Sequence, residues 1–393
     1  MKTNETNLLS HGLLWFGAAV SIAEIFTGTL FAPLGFEQGL LAIILGHIIG
    51  GCLFFLAGLI GANTKQSAMQ TVRIGFGSQG ASFFALANVL QLIGWTTVMI
   101  ITGAAAADAI MPLGSALWSI IIGALIILWL LVGPSQLTKL NLVAMALLFL
   151  LTLWLSALIF NPTADLSNLA LNEQSLSFGA AVELATVMPL SWLPLVADYT
   201  RTAKRPLAAT VVSTFTYCLI STWMYLIGLG TALYTGEGDI ALVMLKAGLG
   251  LWPLLIIIFS TVTTTYLDAY SAGVSATSLI SKLPEKPTAI GITILGIILA
   301  IFVPMTQYEE FLYIIGSIFT PMIAILFTQY FLLKQDASGR KFNYTNLILW
   351  IIGFILYRNL LTWDTPLGST VPVMICIAGL TYIVGRLTSK SKA

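Results

Sequence analysis

Residues Glu183–Arg201 read ELATVMPLSWLPLVADYTR. Two prolines, Pro189 and Pro194, stand five residues apart in an otherwise apolar run. Each removes a backbone donor and pushes the chain off helical geometry. In a segment that crosses a bilayer, such a break survives only where the freed backbone groups line a cavity or are buried in protein. Kinked packing helix or broken, site-forming helix: the choice turns on what surrounds this stretch.

The surroundings are apolar. Of 393 residues, 58% are hydrophobic and only 8% charged, against about a quarter charged in a typical soluble domain. That excludes a soluble enzyme, a disordered chain and a nucleic-acid binder, which needs a basic surface. The net charge of +1 gives no electrostatic preference for a partner. Cys52, Cys218 and Cys376 are far apart, in no disulfide or metal-like spacing, and His11 and His47 leave little for histidine chemistry. No cofactor is expected beyond a coupling ion, and a monomer is expected.

A spanning helix needs about 20 apolar residues. Such runs lie near 11–34, 39–61, 82–110, 115–133, 140–160, 178–200, 207–233, 251–281, 288–304, 308–333, 346–363 and 368–386. The first is too long for a signal peptide and is kept as a helix. The expected fold is therefore an all-α polytopic membrane protein of 12 transmembrane helices, forming a single transporter domain over 1–393. With the N-terminus inside, all of the 17 basic residues except Lys246 and Arg358 fall on the inner side, as the positive-inside rule requires. Acids such as Glu37, Asp108, Asp165, Glu173, Glu237, Asp239, Glu309, Glu310 and Asp364 fall at the outer side. Both termini are expected in the cytoplasm and the chain in the plasma (inner) membrane.

Span 1 carries small residues, Gly17 to Ala19, then Ser21, Glu24, Thr27-Gly28-Thr29 and Pro33. A break there and another in span 6, five spans on, mark a five-plus-five inverted-repeat transporter with its site at the midplane. The repeats are expected at about 11–160 and 178–333, with extra helices at about 346–386. Spans 3 and 8 become counterparts: span 3 holds Asn88, Gln91, Trp95, Thr96 and Thr97, and span 8 holds Ser260, Thr261, Thr263–Tyr266 and Asp268. Ser260, Thr263 and Thr264 share one helix face, and hydroxyl oxygens there suit Na⁺; equally, they back-bond within the helix or glue helices together. Glu24, Glu183, Asp268 and Arg358 sit inside spans at a cost of at least ~2.5 kcal/mol each, which makes each a functional candidate. Glu183 is expected nearer the outer end, where water reaches it. Asp198 and Arg201 suit a cap or gate, and His47 a satisfied packing role. Trp95 and Trp192 sit mid-span rather than in an interfacial belt, which suits stacking on a flat, uncharged ring.

Ile60–Gly80 reads IGANTKQSAMQTVRIGFGSQG. It resembles the loop after span 2 of the nucleobase:cation symporter-1 family, especially its cytosine permease-like members. The resemblance continues through Gly94-Trp95, Ala197-Asp198-Tyr199-Thr200-Arg201, Thr263-Thr264 and Tyr270-Ser271-Ala272-Gly273. It covers spans 1 to 8 collinearly, and overall the chain is most similar to a branch assigned to hydroxymethylpyrimidine transport. The resemblance implies a leucine-transporter-like fold and symport of a nucleobase-like ring with Na⁺ or H⁺. It implies Ser260, Thr263 and Thr264 as cation ligands, with carbonyls from about Phe16 and Ala19. It implies Trp95 as a stacking residue and Ser191 and Trp192 as substrate contacts. There are departures. Gln91 is one position off the family glutamine, Ser260 replaces an amide, and Glu24 and Asp268 have no acidic counterpart in cytosine permease. These differences point away from cytosine itself. Glu24 suits an exocyclic amine or ring N–H, as in 4-amino-5-hydroxymethylpyrimidine. If the cation is H⁺, Glu24 or Asp268 is its carrier. A cytosine, purine or other nucleobase permease, an amino-acid permease of the same fold, a channel and a membrane enzyme are the rival readings.

Overall fold

A computed structural model describes residues 6–132, 176–235, 252–280, 282–363 and 365–390, with parts of 142–160. The fifth predicted span lies mostly outside the described residues, as do Asp165, Glu173, Glu237, Asp239, Lys246 and Asp364.

The described chain is helical apart from loops and one isolated bridge. Its helices are α1 (Leu8–Ala19), α2 (Ile22–Thr29), α3 (Gly35–Thr64), α4 (Ala68–Phe76), α5 (Gly80–Ile110) and α6 (Ser115–Val132). After the sparsely described stretch come α7 (Phe178–Leu190), α8 (Leu193–Thr200), α9 (Pro206–Thr235), α10 (Trp252–Leu279) and α11 (Glu285–Phe302). Last are α12 (Tyr308–Phe327), α13 (Tyr344–Leu360) and α14 (Thr370–Lys390). They fall on the apolar runs of the sequence. Among the described residues, 8 helical stretches are long and apolar enough to cross a membrane. Large apolar side chains such as Ile48, Phe215, Phe302 and Ile375 are exposed on the outside. On a soluble protein such a surface invites aggregation; against lipid it is solvated.

The helices form two bodies. In one, α3 lies along α7 and α9, and α9 packs on α1 and α2. In the other, α5 lies along α10, while α6 and α11 close a second core around Trp118, Ile122, Trp129 and Tyr266. Glycines set the spacing of the first body. A Cβ at Gly46 or Gly50 would strike Ala185 or Pro189 and the backbone carbonyls of α7, and one at Gly228 would strike the Ile25 carbonyl. Only a bare Cα lets these backbones approach so closely. α12, α13 and α14 pack together against α7.

The face predicted as inner is tied together. Thr6 N–H donates to the Thr202 carbonyl at 3.0 Å and Lys65 Nζ to the Ala203 carbonyl at 2.9 Å. Asp198 Oδ1 accepts the Ala68 N–H at 2.9 Å, so it caps α4. The N-terminus, the end of α3 and the α8–α9 connection thus lie on one side, as the distribution of Lys and Arg requires.

Candidate substrate site

Both predicted breaks are present, but they differ in kind. Between α1 and α2 the chain leaves helical geometry at Val20 (ψ 82°) and extends at Ser21 (φ −140°, ψ 156°). Ser21 N–H turns to the Ala19 carbonyl at 2.9 Å instead of continuing the helical ladder. Ser21 Oγ then caps α2, accepting the Glu24 N–H at 3.3 Å. The signal was in the sequence: Ser21-x-x-Glu24 is a helix-start pattern, and here it sits inside an apolar run. Between α7 and α8, by contrast, Ser191 and Trp192 keep αR torsions. What is lost is bonding. Pro194 has no N–H for the Leu190 carbonyl, and the Leu195 N–H goes to Trp192 rather than to Ser191. The freed Ser191 carbonyl accepts Gln91 Nε2–H at 2.9 Å.

A narrow cavity of about 20 Å³, room for about one water, lies where the two breaks meet the second body. Glu24, Trp95, Ser191, Trp192, Thr264 and Asp268 all line it, beside Ala18, Ser21, Met99, Met188 and Leu195. Six of the eleven predicted site residues, from three separate helical segments and the α7–α8 break, are thereby brought to one place.

The others surround it. Gln91 does not line the cavity; its amide N–H groups brace Asn88 and the Ser191 carbonyl, and its Oε1 is buried without a partner. The Phe16 and Ala19 carbonyls flank the α1–α2 break, accepting the Val20 and Ser21 N–H groups at 3.0 and 2.9 Å. Ser260, one turn before Thr264, and Thr263, next to it, are both buried, and Thr263 Oγ donates to the Ser260 carbonyl at 2.9 Å.

The two tryptophans are held on edge by other rings. Trp95 meets Phe311 and Tyr308 in T-shaped contacts, with centroids 5.5 and 6.2 Å away. Trp192 meets Trp15 at 5.4 Å, and its Nε1–H donates to Tyr217 OH at 2.9 Å. Edge contacts of this kind fix each indole and leave a ring face free for another partner.

The two carboxylates differ. Glu24 Oε1 accepts from Tyr217 OH at 2.8 Å and Oε2 lies 2.6 Å from Ser221 Oγ. Asp268 is 4% exposed and accepts no hydrogen bond from any described residue. No Lys, Arg or His side chain lines the cavity among the described residues.

Two other expectations change. Glu183 is not wet: it is 1% exposed and accepts from Tyr357 OH at 2.5 Å, Thr370 Oγ at 2.6 Å and Thr370 N–H at 2.8 Å. It pins α7 to α13 and α14. Arg358 pairs with Glu310 at 2.7 Å near the surface. Sequence reasoning also missed Trp15, Tyr217 and Ser221, which carry no ionisable or proline signature and are common in apolar helices.

Residues 3–385 match the family model described as permease for cytosine/purines, uracil, thiamine, allantoin. The chain belongs to this permease family. Cytosine permease of Escherichia coli K12 is 24% identical over 329 residues, spanning 82% of this chain and 76% of that one. A putative purine-cytosine permease of Bacillus subtilis is 24% identical over 378 residues, spanning 87% and 82%. In fold, the permease superposes on Mhp1, a nucleobase-cation-symport-1 family transporter, in its closed conformation with bromovinylhydantoin bound. The TM-score is 0.82 at 17% identity over 97% of this chain and 92% of that one. A Na⁺-coupled sialic acid symporter follows at 0.74, 14% identical, covering 98% and 90%. The permease is thus a multi-pass membrane transporter of the nucleobase permease type, and not an enzyme.

Proposed function

We propose that this permease is a secondary active symporter for a flat, amino-bearing pyrimidine, with 4-amino-5-hydroxymethylpyrimidine the leading candidate. The observation that carries the reading is the cavity at the two helix breaks. It offers two fixed indoles for stacking, the Asp268 carboxylate with no donor among the described residues, and Glu24 beside it, with no basic side chain among the described residues on the cavity. Trp95 and Trp192 stack on the ring, Asp268 and Glu24 accept from its N–H groups, and Ser191 and Gln91 act at the α7–α8 break. A ligand with an exocyclic amine satisfies Asp268 directly, whereas a ligand carboxylate, as in an amino acid, meets only repulsion.

The chain crosses the plasma membrane twelve times with both termini in the cytoplasm, as two inverted five-helix repeats and two extra helices. The tight α5–α10, α3–α9 and α6–α11 pairings are those expected between repeat counterparts. A cation sits between the α1 end and α10, held by the Phe16 and Ala19 carbonyls with Ser260, Thr263 and Thr264. α1, packed mainly on α9, also touches α10, and an oxygen-only set of this kind suits Na⁺. Cation and substrate each favour the same outward-open state, so each raises the affinity of the other by reciprocal linkage. The body of α1–α3 and α7–α9 then rocks against that of α5, α6, α10 and α11.

The test is quenching of Trp emission in the purified permease across a panel of pyrimidines, purines and amino acids, with and without Na⁺. Saturable quenching by amino-pyrimidines, strengthened by Na⁺, is expected. Quenching by amino acids alone would contradict the reading.

A further inference from the structure

The mechanism just described uses only one side of Glu24. On the other side a chain of hydrogen bonds leads away from the cavity. His47 Nε2 lies 2.7 Å from Ser221 Oγ, which lies 2.6 Å from Glu24 Oε2. His47 Nδ1 lies 2.8 Å from the Ile43 carbonyl. All three side chains are buried: His47 and Glu24 are 3% exposed and Ser221 not at all.

Counting hydrogens fixes what this chain carries. The Ile43 carbonyl can only accept, so Nδ1 holds a hydrogen. Ser221 has one hydrogen to give and two neighbours. If it donates to Glu24, then Nε2 must donate to Ser221, and His47 is an imidazolium facing a carboxylate. If it donates to Nε2, then Glu24 must be protonated and donate to Ser221. Both arrangements contain one proton more than a neutral histidine and a carboxylate, and both are neutral overall. Without that proton, one contact sets two lone pairs against each other, and a net negative charge is buried.

We infer that Glu24, Ser221 and His47 form a proton-binding site that opens only onto the substrate cavity. The proton moves between Glu24 Oε2 and His47 Nε2 as the Ser221 hydroxyl reverses: it accepts one hydrogen and gives up its own, and no other group changes. Glu24 lines the cavity. His47 faces an apolar groove between α3 and α9, lined by Ile44, Ile48 and Phe215 among others. Water therefore reaches the proton from the Glu24 side, and the same alternating access that governs the substrate governs the proton.

Among the surrounding groups, the carboxyl of Asp268 is the rival proton carrier, which the titration below separates from Glu24. From α9, Tyr217, Cys218 and Tyr225 face Glu24; α12 brings Tyr308, which bonds Thr27 at 2.6 Å. Asp268 of α10 lies on the same cavity, and α5 contributes Trp95 there, which does not titrate. Around His47, Tyr225 meets the imidazole edge-on at 4.9 Å, and Cys52 and Cys218 line the same groove; elsewhere on the elements packed against α3, Glu183 is held by Tyr357 and Thr370 and Asp198 caps α4.

The chain also reaches the substrate. Trp192 donates to Tyr217 and Tyr217 to Glu24, so α2, α3, α9 and the α7–α8 break are joined in one polar line. A substrate that fills the cavity excludes water from Glu24, which favours the proton-bearing, neutral state. Proton and substrate therefore reinforce one another. This rests on the transporter reading for its role in transport, but the proton site itself does not.

Two measurements on the full chain in detergent decide it. The first is infrared titration of the ligand-free protein between about pH 5 and 8, where imidazole changes charge. A protonated-carboxyl C=O band is expected that disappears in Glu24→Gln and moves its midpoint in both Ser221→Ala and His47→Gln. A band lost in Asp268→Asn instead, or indifferent to Ser221 and His47, would overturn the site. The second is calorimetric binding of 4-amino-5-hydroxymethylpyrimidine in buffers of different ionisation enthalpy. Proton uptake on binding is expected, with affinity falling by up to about tenfold per pH unit at alkaline pH and the dependence flattened in His47→Gln. Binding without proton uptake would overturn the coupling and leave the transporter reading standing. If no pyrimidine binds, the transporter reading fails, and the infrared titration still decides the proton site.

Discussion

Asp268 is the residue on which specificity turns. Its carboxylate meets the cavity at 4% exposure with no donor from a described residue, and a buried charge is stable only when paired or hydrogen-bonded. Exchange for an amide halves its accepting capacity and removes the charge. Asp268→Asn is expected to cut the preference for a 4-amino over a 4-oxo pyrimidine by roughly tenfold, since a hydrogen bond to a charged group contributes about 1.5–3 kcal/mol. Competition binding measures this ratio. Unaltered preference would place the amine elsewhere, with Glu24 the remaining acceptor. The indoles act on affinity rather than choice. Trp95→Ala is expected to weaken every flat ligand by roughly 5- to 150-fold, the range for loss of one stacking partner, with thermal stability little changed if the ring faces the ligand. Equal loss of stability and binding would make Trp95 a packing residue.

At the scale of the element, the two breaks serve different ends. The α1–α2 break is a true departure from helical torsions, and it supplies carbonyls. The α7–α8 break keeps helical torsions and loses hydrogen bonds through proline, which frees the Ser191 carbonyl for Gln91. Pro194→Ala returns a donor to the Leu190 carbonyl. Pro194 stands in the first turn of α8, where proline is tolerated, so the unfolding temperature is expected to change little while ligand binding weakens as the break closes. A further anchor lies at Glu183. Tyr357→Phe removes one of its donors and is expected to cost about 1–3 kcal/mol of stability with ligand affinity intact, read by thermal unfolding against binding. Proline made the break in span 6 legible, because no other residue so plainly interrupts a helix. The break in span 1 was expected from its small residues and from the partner break five spans on; the sharper signal, a serine and a glutamate three residues apart, is a pattern common outside membranes. His47 read as a packing histidine. Both its nitrogens are partnered, but one partner, Ser221, stands 174 residues away in sequence, and nothing in either segment announces the pairing. Likewise Glu183 read as wet, because its shield comes from α13 and α14.

The molecule as a whole divides into two bodies of helices with the cavity on their seam. Hydropathy and the placement of lysine and arginine were enough to mark the helices and the side on which the N-terminus, the α3 end and the α8–α9 connection gather. The seam was not visible, because it depends on which faces of long, uniformly apolar helices meet. Close backbone crossings such as Gly28 with Tyr225 and Gly228 with Ile25 hold the first body together. Gly228→Leu is expected to force α2 from α9 and lower stability by about 1–3 kcal/mol or more, seen as a loss of folded protein on size-exclusion chromatography after mild heating.

The claim that the seam carries an amino-pyrimidine across the membrane is tested most directly by uptake into proteoliposomes. Labelled 4-amino-5-hydroxymethylpyrimidine should accumulate saturably when an inward Na⁺ or proton gradient is imposed, be competed by unlabelled pyrimidine but not by amino acids, and fail to accumulate with Trp95→Ala. Absence of saturable uptake for every pyrimidine, under either gradient, would contradict the account.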